Sequence, residues 1–180
     1  MNELIATILT SALVSTIAGV AINAWLESRK TRQATRLDAL KIAIQLEGYS
    51  INCADKLADH NTAVSSEGHA GKKLGAVPNL PELKVAVGIL RPKKAAVANK
   101  LLIFPQEYAQ AEQSAAFWWD VVGDPDCSTS ETVNQTAKLG LKSLELAKDI
   151  REAFNLPLRE LVFGEYNVQN VLKENIREDA

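Results

Sequence analysis

The side chains able to bind a metal or move a proton near neutral pH are few: two histidines, His60 and His69, and two cysteines, Cys53 and Cys127. His60 follows Asp59 and lies about one helical turn beyond Asp55, so a loose Asp and His site is the chemistry this stretch could offer. A plainer reading explains the same residues, with Asp55 and Asp59 in a solvated stripe and both histidines at loop edges. Helix bundles build carboxylate and histidine metal centres from Glu-x-x-His pairs on facing helices, and the chain contains no such pair. Cys53 and Cys127 lack the paired spacing of structural zinc sites. Cys53 falls among apolar residues, where a free cysteine behaves as a small buried hydrophobe. Cys127 follows Asp124 and Asp126, an acidic setting that does not lower a thiol pKa. The run Gly68-His69-Ala70-Gly71-Lys72-Lys73 suggests a phosphate loop but lacks the glycine spacing, the Lys-Ser or Lys-Thr end, and the strand and helix around it. No catalytic residue, metal or cofactor is therefore expected, and an enzyme using His60, Asp59 or Cys127 is the weakest of the functional readings.

Aromatic side chains offer a different chemistry. Tyr49, Tyr108, Trp118 and Trp119 are of the types that dominate binding hot spots, so together they form a candidate partner or ligand patch. Consecutive residues on a helix lie about 100° apart. One of Trp118 and Trp119 is expected to pack against Tyr49, Phe104 or Tyr108 while the other faces outward. Core packing alone would account for the same residues.

These residues need positioning elements, and the most distinctive comes first. Leu4 to Leu26 contains no charged residue. As a helix it would be about 34 Å long, enough for a hydrocarbon core of about 30 Å, and predicts a transmembrane anchor. A secretory signal would begin with a positively charged stretch, whereas this chain begins Met1-Asn2-Glu3; Gly19-Val20-Ala21 still resembles a small-residue cleavage site. Thr7, Ser11, Ser15, Gly19 and Asn23 recur every four residues, which stacks them on one face. Such a small-residue stripe lets helix backbones approach closely, and it points to self-association or docking onto another membrane protein. Arg29, Lys30, Arg32 and Arg36 follow the segment, with Trp25 at its edge. Cations gather on the cytoplasmic side of spanning helices, so the N-terminus is expected outside and the C-terminal bulk inside an inner (plasma) membrane. The same cations could bind anionic lipid head groups.

The 180 residues are 47% hydrophobic and 23% charged, with a net charge of −2, which excludes an acidic tail or a polybasic arm; no nucleic-acid partner is expected. With the anchor over 1–28, a long helix is expected to continue through 29–61, with Asp38, Lys41, Gln45, Gly48, Asn52, Asp55 and Asp59 as its solvent stripe. Its broad apolar face predicts a central or near-central place in a bundle. A Gly- and Pro-rich loop and connector covers 62–92, and further bundle helices fill 93–180. Pro105 is expected to kink or restart the second helix, Ser128 and Glu131 to form a capping box at the start of the third, and Asn155–Leu158 to stop it. The fold class is all-α, a single N-terminal transmembrane helix continuing into a small cytoplasmic bundle of three to four helices. The function expected is a membrane-tethered, non-enzymatic interaction or assembly module, self-associating or an accessory subunit of a larger membrane complex. The alternative is a small-molecule-sensing bundle with an aromatic pocket.

Overall fold

The computed structural model describes the backbone of residues 2–90 and 94–177 and the side chains of residues 19–90, 94–121 and 123–177. The architecture is an all-helical bundle. Its first helix, α1 (Asn2–Ser65), runs unbroken for 64 residues, which at 1.5 Å per residue is about 96 Å. No proline interrupts it, and it is rich in Ala, Leu and Ile. Every described side chain before Thr35 is exposed, and Thr35 is the first to be buried. The bundle therefore begins halfway along α1, and the preceding stretch projects from it. A long irregular connector leads to α2 (Ala95–Phe117), a π-helical turn (Trp118–Val122), α3 (Pro125–Ala153) and α4 (Val168–Glu174). Just before α4, Val162–Phe163 pairs antiparallel with Tyr166–Asn167 in a small hairpin.

Helix α3 is central, because it lies against α1, α2 and α4, and α1 is near-central, lying against α3 and α4 and touching α2 through Tyr49. Small and hydroxyl side chains make this possible: Thr132, Thr136, Ala137, Gly140, Ser143 and Ala147 are all buried on it. At the α1–α3 crossing two hydroxyls reach the opposite backbone, Ser50 Oγ donating to the Gly140 carbonyl (2.6 Å) and Ser143 Oγ to that of Leu46 (2.9 Å). A Cβ at Gly140 would stand 2.5 Å from Leu172 Cδ2 and 2.9 Å from Cys53 Cβ, so only glycine fits there. On the other side, α2 runs antiparallel to α3, joined by ion pairs Lys100–Asp149 (2.6 Å) and Lys142–Glu107 (2.5 Å). Between the helices Ile42, Leu46, Leu57, Leu101, Phe104, Ile150 and Leu172 are essentially dry, and burial of such side chains supplies most of the folding drive.

Several expectations change. The apolar face of α1 is narrower than its composition suggests, since Leu37 and Ile44 are 59% and 49% exposed where the neighbouring elements do not reach. Pro105 sits inside a continuous α2 rather than starting it. The third helix is capped by Asp124, whose carboxylate accepts from the Asp126 and Cys127 amides, with Pro125 in the first turn. The Ser128–Glu131 pair therefore lies inside the helix, and Glu131 accepts from Ser114 and Gln135 instead. Part of the tail, where bundle helices were expected to continue, forms the hairpin instead, with Val162 and Phe163 exposed, whereas Leu161, Val168 and Leu172 are buried. Among its described residues the connector after α1 is anchored to the bundle, with Leu74, Val77 and Ile89 buried.

Among the described residues no helix is long and apolar enough to cross a membrane. The transmembrane span expected over Leu4–Leu26 therefore has no counterpart among them. Its described part, residues 19–26, covers only about 12 Å. Residues 4–18, and with them Thr7, Ser11 and Ser15, lie outside the residues whose side chains are described.

Candidate functional site

Three groups of residues bear on function, and the first is the projecting part of α1. Gly19 and Asn23 are exposed there, as are Val20 (65%), Ile22 (57%), Trp25 (60%) and Leu26 (42%). The Arg29 guanidinium lies over the Trp25 ring, 5.4 Å from its centroid, a cation–π contact. Arg29, Lys30 and Arg32 all stand clear of the bundle. Arg36 does not: its Nη2 donates to the Asn155 carbonyl at 2.8 Å, tying α1 to the end of α3 where the projection starts.

The second group is aromatic, and the structure divides it. Tyr49 is buried between Phe104 and Tyr108, edge to face with ring centroids 6.3 and 6.4 Å away. Its hydroxyl has no hydrogen-bond partner. Burial, reinforced by Cys53, raises the Tyr49 pKa well above the ordinary phenol value. Burial likewise pushes the Cys53 thiol up to about 12, so it is inert. Tyr108 donates to Glu112 Oε1 at 2.6 Å. Its own pKa is raised to about 12, first by burial and then by that carboxylate. Trp118 and Trp119 are on the π-helical turn and both face outward, at 36% and 61% exposure. Among the described residues neither makes a ring pair with Tyr49, Phe104 or Tyr108, one of which was expected to receive a tryptophan; Trp118 meets Phe117 edge on at 5.8 Å. Trp119 borders a hollow of about 500 Å³ that also takes in Glu112, Asp120, Ser128, Thr129 and Thr132. Tyr49, Tyr108 and Trp118 are not part of its wall.

A third group was missed in the sequence. Glu47 is buried on α1 and is held by Arg151 of α3 through two bonds, Nε to Oε1 (2.5 Å) and Nη2 to Oε2 (3.0 Å). Arg151 Nη1 also donates to the Pro157 carbonyl (2.7 Å), and Arg159 approaches Glu47 at 3.4 Å. The arrangement neutralises the charge and fixes the chain reversal after α3. Its signal was available: Glu47 falls off the solvent stripe, and a charge on an apolar face requires a partner.

The residues considered for catalysis are scattered. Asp59 is exposed, whereas His60 is buried and its Nδ1 accepts from the Leu74 amide (3.2 Å). Burial, then the Lys73 charge, lowers the His60 pKa. Cys127 is exposed, and its hydrogen bond to Asp124 raises its pKa. No group of His, Cys, Asp and Glu suited to a metal ion occurs among the described residues. Compared with known proteins, the chain matches no family model, no curated protein and no solved structure.

Proposed function

We propose that this chain is a membrane-tethered, non-enzymatic interaction or assembly module, with Leu4–Leu26 as its anchor and the bundle on the cytoplasmic side. The observation that supports the reading is the projection of α1. A helix that leaves its bundle with Val20, Ile22, Trp25 and Leu26 uncovered exposes apolar surface that calls for a nonaqueous neighbour or another chain. The uncharged Leu4–Leu26 run just ahead of it favours lipid. Arg29, Lys30 and Arg32 then sit where cytoplasmic head groups would meet the helix. Gly19 and Asn23, both uncovered, continue the stripe begun by Thr7, Ser11 and Ser15, and that face favours a second copy or another membrane subunit.

The native thiols test the arrangement, since Cys127 is exposed and Cys53 is buried. In intact cells a membrane-impermeant maleimide should leave Cys127 unlabelled and should label it once the membrane is permeabilised. Labelling of intact cells would reverse the orientation. Recovery of the protein in the supernatant of alkali-washed membranes would remove the tether altogether.

One observation favours a second reading, ligand sensing: the hollow beside Trp119 is large enough, at about 500 Å³, for a small molecule.

A further inference from the structure

We infer that the hollow beside Trp119 binds an organic cation, an alkylammonium or guanidinium group on a short apolar stem. The inference rests on the ligand reading of that hollow and is independent of the membrane tether. It follows from which atoms the wall offers. Glu112 and Asp120 bring carboxylates. The three hydroxyls have their protons committed to backbone carbonyls: Ser128 donates to Ala115 (3.3 Å), Thr129 to Pro125 (2.8 Å) and Thr132 to Ser128 (2.8 Å). Each hydroxyl oxygen is left with acceptor capacity alone.

The first turn of α3 would ordinarily attract an anion. Here Asp124 occupies that role, its carboxylate accepting from the Asp126 and Cys127 amides at 3.0 Å each. None of the described residues lining the hollow is Lys, Arg or His. A wall of acceptors rejects an anion and rewards a ligand that brings several N–H donors and a positive charge. Trp119 lines the hollow with an indole, the side chain best suited to a cation, and Ala115 and Ala116 supply apolar contact for a stem. The Glu112 carboxylate is also pre-oriented, since Tyr108 holds one of its oxygens. The π-helical turn that carries Trp119 and Asp120 is itself a form found frequently at functional sites.

The chain has three tryptophans, so Trp25→Phe with Trp118→Phe leaves Trp119 as the sole reporter in the full-length, detergent-solubilised protein. Agmatine should change its emission saturably. Glu112→Gln, which keeps an acceptor for Tyr108, and Asp120→Asn should each weaken binding by about tenfold, the loss of one charge-assisted contact. Butanesulfonate and butyramide should not saturate. A blocked Leu-Lys-Leu peptide separates the two sources of such a cation: tighter binding than agmatine assigns it to a protein side chain, weaker binding to a free small molecule. Agmatine affinity unchanged in both carboxylate variants would overturn the inference. Saturation by the anion or the neutral amide without agmatine would overturn it too, while leaving the ligand reading intact. Silence from every probe, with an unaltered melting curve, would remove both.

Discussion

His60 shows how a residue that looks like a catalyst serves as a fastener. Its ring is buried, and Nδ1 takes the Leu74 amide, which pins the start of the long connector against α1. Only the unprotonated nitrogen can accept, and burial followed by the Lys73 charge holds the folded pKa below its ordinary value of 6.5. Between that lowered value and the unfolded one, the unfolded chain carries more protons, so stability rises with pH there. The stabilisation is complete above pH about 6.5 and is lost as pH falls from there through the folded pKa. The thermal midpoint should therefore drop between pH 7.5 and 5.5, and His60→Gln should flatten that drop. An equal drop in the variant would assign the effect to other groups. Sequence reasoning found His60 but not its partner, because Leu74 is fourteen positions away across an irregular turn that no periodicity describes. Glu47 signalled its need for a partner by falling off the solvent stripe, but that the partner is Arg151, 104 positions away on another helix, was not legible.

Helical periodicity made the long elements readable and hid how they pack. Lys41, Gln45, Gly48, Asn52, Asp55 and Asp59 form an exposed stripe on α1, with the expected Asp38 half-buried at its start, and the stop after Phe154 was visible in Asn155-Leu156-Pro157. The central place of α3 was not visible. Its buried face is built largely from Thr, Ser, Ala and Gly, which hydrophobic patterning reads as weak. Those small side chains are what bring α1 close enough for Ser50 and Ser143 to reach across to opposing carbonyls. Gly140→Ala tests this crossing. The added methyl has Leu172 and the Cys53 Cβ in its way, so α1, α3 and α4 must part, and urea unfolding should show a loss of about 1–3 kcal/mol. A neutral result would mean the crossing is looser than its hydroxyl bonds imply. The start of α3 was misread because Ser128-Thr129-Ser130-Glu131 satisfies the capping-box pattern, whereas Asp124 with Pro125 supplies the stronger start three residues upstream.

Taken whole, the molecule separates a folded bundle from a helix that leaves it. Residues 19–34 are exposed throughout, so their side chains contribute little to the bundle and are available to something else. Replacing Ile22, Trp25 and Leu26 with serine should leave the unfolding midpoint in detergent within about 2 °C of the parent, since exposed positions shift stability little. The same variant should lose membrane retention in washed membranes. A large fall in the midpoint would place these side chains in the folding unit, and unchanged retention would remove them from the tether. The projection is legible in the sequence as the absence of any Pro before Pro78; where the bundle begins is not, because Thr35 is an unremarkable residue whose burial depends on Gly88 being seated against it. The unbroken course of α1 also works as a gauge. From Thr35 to Ser65 the rod extends about 45 Å, and α2 runs in the same direction, both helices being antiparallel to α3. With no hinge between, the tether proposed above would let the tilt of the rod dictate where its far end stands, and the Trp119 hollow would then be carried at a set standoff and meet only what reaches that height.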